Sequence, residues 1–185
     1  MKKFRPVPHY EQVNTSAIES KFSTDRLHRA KLHIPFLGNR GSKTLCVIGQ
    51  NPSAADELYA DKTVRYLEEL IYRKNPEYAS VLVLNLYSRI DTTKSETEDT
   101  LDSECSRIFF AAIEEHDDFL IFYGKIENQG AYRFRDRARE VASSLETKNV
   151  LKLGLDTSYA PHPGNPRILY HNFDIQLTTH EFSDL

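Results

Sequence analysis

The chain has 185 residues, 39% of them hydrophobic and 28% charged, which is long enough to bury a core and too apolar for a disordered chain. A net charge of −3 and a pI near 6.2 exclude a protein that holds duplex phosphates through bulk positive charge, while leaving a local basic patch open. No apolar run nears the ~20 residues of a membrane span, and the basic start at residues 1–6 lacks the apolar stretch of a signal peptide. The expectation is a cytoplasmic protein with no membrane partner.

Residues 1–24 are polar and weakly patterned, with Pro6 and Pro8 early, and read as an N-terminal arm with a short helix around residues 15–22. Residues 25–185 read as a single domain. In Leu32, Ile34 and Phe36 apolar residues alternate with others, which predicts an edge strand or a packed extended segment. Gly38, Gly41 and Ser42 mark the turn after it. Residues 44–48 (T-L-C-V-I) form a β-rich run closed by Gly49. Ser53 and Asp56 then have capping-box spacing, and Val64, Leu67, Leu70 and Ile71 share one helical face that ends near Asn75-Pro76.

Residues 80–86 (S-V-L-V-L-N-L) are apolar on both faces, as in a strand buried from both sides. Leu101, Cys105, Ile108, Phe109, Ala112 and Ile113 predict a second helix, capped from residues 97–99. Residues 119–123 (F-L-I-F-Y) predict a third strand closed by Gly124, and Phe134, Ala138, Val141, Ala142 and Leu145 a third helix. Residues 149–153 predict a fourth strand and residues 168–170 a short fifth. Cys46 and Cys105 fall on apolar faces and read as small buried hydrophobes. Strands separated by helices imply right-handed crossovers, so the expected class is α/β, three layers α/β/α around a short, mainly parallel sheet of four to five strands. Ligands of such sheets bind beyond the carboxyl ends of the strands. That rule selects four loops: 49–60, 85–95, 124–130 and 154–166.

The first loop reads Gly49-Gln50-Asn51-Pro52-Ser53. Glycine admits a ligand close to the backbone, Gln50 and Asn51 carry amides, and Pro52 stiffens the turn before a helix N-terminus that favours anions or carbonyl oxygens. An ordinary strand-to-helix turn has the same composition. Asn85 ends the second strand with an amide that has to find partners; it can read the edge of a flat heterocycle or tie down its own loop. In the fourth loop, Pro161, Pro163 and Pro166 hold His162, which can stabilise charge developing on an oxygen. Asp56 and Asp61 flank the first loop and could supply a carboxylate; the simpler roles are a helix cap for Asp56 and an ion pair with Arg65 for Asp61. Arg133, Arg135, Arg137 and Arg139 read as a solvated helix with acidic partners. Arg26, Arg29, Lys31, Arg40 and Lys43 are the better nucleic-acid candidates. No His, Cys and Asp spacing makes a metal site, and no motif asks for a cofactor.

The segments Arg26…Leu45-Cys46-Val47-Ile48-Gly49-Gln50-Asn51-Pro52-Ser53-Ala54-Ala55-Asp56, Asp61-Lys62-Thr63-Val64-Arg65 and Val83-Leu84-Asn85-Leu86-Tyr87 resemble the DUF1643 family of uncharacterised proteins. Ala54 stands where that family has Thr, and Lys62 where it has Pro. More distantly, the order G-Q-N-P, V-L-V-L-N, F-L-I-F-Y-G, H-P-x-x-P is similar to the motif order of uracil-DNA glycosylases. That resemblance implies a water-positioning place for Asn51, a base-reading place for Asn85 and a leaving-group place for His162. It also implies an aromatic platform, from either Tyr59 or Tyr66, and a pocket completed by Gly49, Gln50, Pro52, Ser53, Gly124 and Pro163.

Asn51 departs from the Asp of the most active glycosylases, and an amide orients water without accepting its proton. Either Asp56 or Asp61 could take over, and Asp61 is taken as the catalytic candidate. Two functions fit: hydrolysis of the N-glycosidic bond of a flipped or free nucleobase, or binding of a nucleobase, nucleotide or nucleic acid without cleavage. A phosphoester hydrolase would need a metal cluster or a phosphate loop, and Gly124-Lys125…Gly130 lacks the spacing of one.

Overall fold

The computed structural model describes residues 5–38, 40–91, 97–183 and 185. Residues 1–4 of the expected arm and 92–96 of the second candidate loop lie outside the described residues. Side-chain alternation along three strands, β3 (Lys43–Gly49), β4 (Tyr78–Asn85) and β5 (Asp118–Ile121), sorts the core into two layers. Leu45, Val47, Val81, Val83 and Leu120 point to one face, where they meet Val64, Leu67 and Ile71 of helix α1 (Lys62–Lys74). Cys46, Ile48, Leu82, Leu84, Phe119 and Ile121 point to the other. There they meet Phe109, Ala112 and Ile113 of α2 (Ser103–Glu115), and Phe134, Ala138 and Val141 of α3 (Phe134–Ser144). Burying each large apolar side chain stabilises the fold by about 1.5–3 kcal/mol, which is why the runs apolar on both faces became central strands.

Four further strands complete the sheet: β1 (Glu19–Phe22), β2 (Arg29–Pro35), β6 (Asn149–Leu153) and β7 (Leu177–Thr179). Among the described residues the order is β1-β2-β4-β3-β5-β6-β7. The pairs β4/β3, β3/β5 and β5/β6 are parallel, while β1/β2, β2/β4 and β6/β7 are antiparallel. The expected short, mainly parallel sheet of four to five strands is therefore corrected to a seven-stranded mixed sheet with a parallel centre.

Local chemistry moves several other elements. The stretch expected as a helix at residues 15–22 is a single 3-10 turn, Thr15–Ala17, followed by β1. Tyr10, Val13 and Ile18 of the same segment are buried. Leu32 and Ile34 are fully buried, because β1 covers β2 and takes the edge position. The first helix starts at Asp61, whose side chain accepts from the Val64 N–H at 2.8 Å; Asp56 instead closes its own turn through the Leu58 and Tyr59 N–H groups. Arg65 pairs with Glu69 at 2.9 Å rather than with Asp61. Asp102 caps α2 in place of residues 97–99. Residues 168–170, expected as a strand, belong to the short helix α4 (Pro166–Leu169) and its cap. Asn165 caps it and Pro166 presets its first turn. Cys46 and Cys105 are buried and unbonded to each other, and burial pushes the Cys105 thiol up to about 12.

Candidate functional site at the carboxyl ends of the parallel strands

The parallel strands end beside one another, and the backbone ladder runs on into the loops. Leu86 donates to the Gly49 carbonyl, Tyr87 to that of Gln50 and Phe122 to that of Ile48, each at 2.9–3.0 Å. Asn85 lies opposite Gly49 in the β3/β4 register, on the same face as Val83. A Cβ on Gly49 would sit 2.8 Å from Phe122 Cζ and 3.0 Å from Asn85 Oδ1. The missing side chain of Gly49 is thus what lets an amide and an aromatic ring meet over the strand end. Phe122 also lies 5.9 Å, centroid to centroid, from the His162 ring.

These groups line one cavity of about 660 Å³, between the first turn of α1 and the strand ends, a volume in the range of small-molecule sites. Asn51, Asn85, His162, Asp61, Gly49, Gln50 and Ser53, all singled out from sequence, share its wall. Pro52 and Pro163 are buried behind it, outside the lining. Gly124 also stays out of the lining; its positive φ of 73° makes the turn that backs His162, and a Cβ there would lie 3.4 Å from His162 Cβ. Tyr59 is half exposed and off the wall, and Tyr66 stacks on Phe173 at 4.8 Å in a separate cluster. Neither expected tyrosine reaches the cavity; Phe122 and Tyr123 are the aromatic residues that line it.

Each polar group has a defined task. Gln50 Nε2 donates to the Tyr123 carbonyl at 2.7 Å and to that of Lys125 at 3.3 Å, stitching the first and third loops together. Asn51 Nδ2 donates to the Arg89 carbonyl at 3.4 Å, while its Oδ1 is buried with no partner among the described residues. His162 Nδ1 accepts from the Gly164 N–H at 2.9 Å, so a neutral ring carries its proton on Nε2. Among the described residues the Asn85 amide forms no hydrogen bond and remains available to a ligand edge.

Sequence reasoning missed several of the wall's groups, Phe122, Asp91 and Arg29 among them. Phe122 closes an apolar run and is indistinguishable there from core. Asp91, buried in the loop after β4, accepts from the Tyr132 hydroxyl at 3.0 Å. Burial and the neighbouring Asp91 carboxylate push the Tyr132 phenol up, while the Asn51 amide acts in the opposite sense. Arg29, expected in an exposed basic patch, is buried and lines the cavity. Burial lowers its pKa to about 10, with Asp61 and Asp56 opposing that fall, so it stays charged at neutral pH. The rest of that basic set scatters. Arg40 binds the Tyr78 and Asn75 carbonyls and lies over the Tyr72 ring. Lys43 pairs with Asp118 at the opposite end of β3. Arg26 lies over the Phe22 ring. Among the described residues no group of three or more His, Cys, Asp or Glu is placed to hold a metal ion, and no helix is long and apolar enough to cross a membrane.

Fold and site together define a mixed α/β protein with a ligand-sized cavity at the carboxyl ends of its parallel strands. The chain belongs to the family described as "Protein of unknown function (DUF1643)", which it matches over residues 29–164. That span begins at Arg29 and ends just past His162, and so encloses every residue of the cavity wall. No curated protein and no solved structure matches the chain.

Proposed function

We propose that the cavity receives a nucleobase and hydrolyses its N-glycosidic bond. The observation that carries this reading is the meeting of Asn85, Phe122 and His162 around the side-chain-free Gly49. The ring of Phe122 offers a flat apolar surface, and the Asn85 amide both donates and accepts along a base edge. The parallel centre β4-β3-β5-β6, with helices on both faces, is then read as a uracil-DNA-glycosylase-like core to which the antiparallel edge strands are added.

In the reaction, a water oriented by Asn51 Oδ1 forms a bond to the sugar C1′ as the C1′–N bond breaks. The electron pair of that bond leaves with the base, whose carbonyl oxygen receives the His162 Nε2–H hydrogen bond. The water proton passes to a carboxylate, a role we assign to Asp91, which lines the same cavity as Asn51 and accepts from the Tyr132 hydroxyl. Asp61 has one oxygen committed to the α1 cap. The test is base release from deaminated, mismatched and modified-base oligonucleotides and from free nucleosides. Release is expected from at least one substrate. Asp91→Asn is expected to lower its rate by ~10²-fold or more with base binding retained, and Asn85→Ala to abolish that binding. If neither the wild type nor Asn51→Asp releases any base, hydrolysis is wrong.

The amide at position 51 favours a second reading, in which the same pocket holds its base uncleaved. A nucleobase then raises the melting temperature, and Asn85→Ala removes the rise. A melting temperature unmoved across bases, nucleosides and nucleotides rejects both readings.

A further inference from the structure

The sheet order gives the cavity two ends. Across the carboxyl ends of the parallel strands the sequence is β2, β4, β3, β5, β6. Neighbouring strands lie about 4.8 Å apart, so Arg29 on β2 and His162, packed against Phe122 and Gly124 at the end of β5, are separated by β4 and β3. The proposed base seat, formed by Asn85, Gly49 and Phe122, occupies the middle. What stands at the Arg29 end is unused by that reading.

Arg29 is 2% exposed, one guanidinium nitrogen donates to the Ala55 carbonyl at 2.9 Å, and its Nε has no partner among the described residues. Among the described residues it forms no ion pair. A buried guanidinium with open donors is costly unless something anionic meets it. The first turn of α1 faces the same space through Lys62, Thr63 and Val64. Its early N–H groups and the positive end of the helix dipole favour an anion. Asp61 lines this end too, with Oδ1 held by the Val64 N–H. Asp56 acts on Arg29 from outside the lining, so Arg29 and Lys62 are balanced by two carboxylates and the helix dipole supplies the remaining positive potential.

Resting on the base-reading pocket proposed above, we infer that the ligand is a nucleoside phosphate, with its base at Asn85 and Phe122 and its phosphate oxygens held by Arg29, Lys62 and the first turn of α1. A planar guanidinium matches two phosphate oxygens at once. The free nucleotide is preferred to a nucleic-acid strand, because Lys43 and Arg40 of the expected basic patch are spent on contacts within the fold and the chain is net negative.

The experiment titrates the full chain with 5′-mononucleotides, the matching nucleosides, inorganic phosphate and single-stranded oligonucleotides, by calorimetry and melting temperature. A 5′-mononucleotide is expected to bind at least ~10-fold more tightly than its nucleoside. Arg29→Gln should erase that advantage. Lys62→Glu, at an exposed position that leaves the core untouched, should reduce it severalfold and keeps the test open if Arg29→Gln fails to fold. Equal affinity for nucleotide and nucleoside overturns the phosphate site and leaves the base pocket standing. Tight binding of inorganic phosphate and nucleotide, both insensitive to Asn85→Ala, supports the phosphate site and removes the base seat. Binding of oligonucleotides without mononucleotides overturns the free-nucleotide assignment.

Discussion

Gly49 shows how one absent side chain builds the site. Its backbone is in an ordinary region, so the need for glycine is one of space: a Cβ would press on Phe122 at 2.8 Å and on Asn85 Oδ1 at 3.0 Å. Gly49→Ala is expected to cost about 1–3 kcal/mol in urea unfolding, the usual penalty for overpacking. It should also weaken base binding, because the ring and the amide both move. Unchanged binding in a folded Gly49→Ala would mean that the ligand does not sit over this residue. At this scale Asn51, Asn85 and His162 were legible in sequence because each is a polar group where apolar strands end. Phe122 was not, since an aromatic ring there looks like core. Arg29 was misread because buried arginines are rare, and Asp91 because only the fold brings its loop beside Asn51.

Among the elements, α1 carries two roles that a single residue can separate. Asp61 caps the helix through Val64 and places its charge near Arg29. Asp61→Ala is expected to lower stability by about 1 kcal/mol, whereas Asp61→Ser keeps the capping oxygen and stays within a few tenths. Since the proton acceptor is assigned to Asp91, Asp61→Ser should retain base release within severalfold and bind 5′-mononucleotides more tightly. Loss of release in a stable Asp61→Ser would return the carboxylate role to Asp61; chemical denaturation and single-turnover assays decide. The helical stripes were legible because their apolar period matches the core they fill. The start of α1 was not, because Ser53 and Asp56 imitate a capping box while Asp56 serves its own turn. Short exposed strands such as β1 (E-S-K-F) and β7 (L-T-T) carry almost no pattern; pairing with a neighbour defines them. At residues 168–170 the cap at Asn165 and Pro166 outweighed the β-like side chains.

At the scale of the whole molecule, the parallel centre was readable from alternating strands and helices, but the segment ahead of Arg29 was not seen to brace the site. Val7 pairs with Ala60 in both directions at 3.0 Å. His9 places Nδ1 2.6 Å from Glu68 Oε1 of α1 and Nε2 2.9 Å from the Asp56 carbonyl, and the Tyr10 N–H donates to Glu68 Oε2 at 2.8 Å. This buried clip ties residues 7–10 to α1 and to the loop that leads into its first turn. Burial alone would lower the His9 pKa, but the hydrogen bond and charge of Glu68 raise it above the usual 6.5. The folded chain therefore holds the His9 proton more tightly than the unfolded chain. The resulting stability is fully present below pH 6.5 and is lost as pH rises through the raised value. His33, lowered by burial, works with the opposite sign, so the two have to be separated by comparing variants. The melting-temperature gap between wild type and His9→Asn is expected to be widest near pH ~6 and to narrow towards pH ~9. A gap independent of pH would show that His9 keeps one charge state throughout. A narrowing gap would mean that alkaline pH also loosens the strap over the 53–60 loop, so nucleotide affinity should fall over the same range in the wild type and less steeply in His9→Asn.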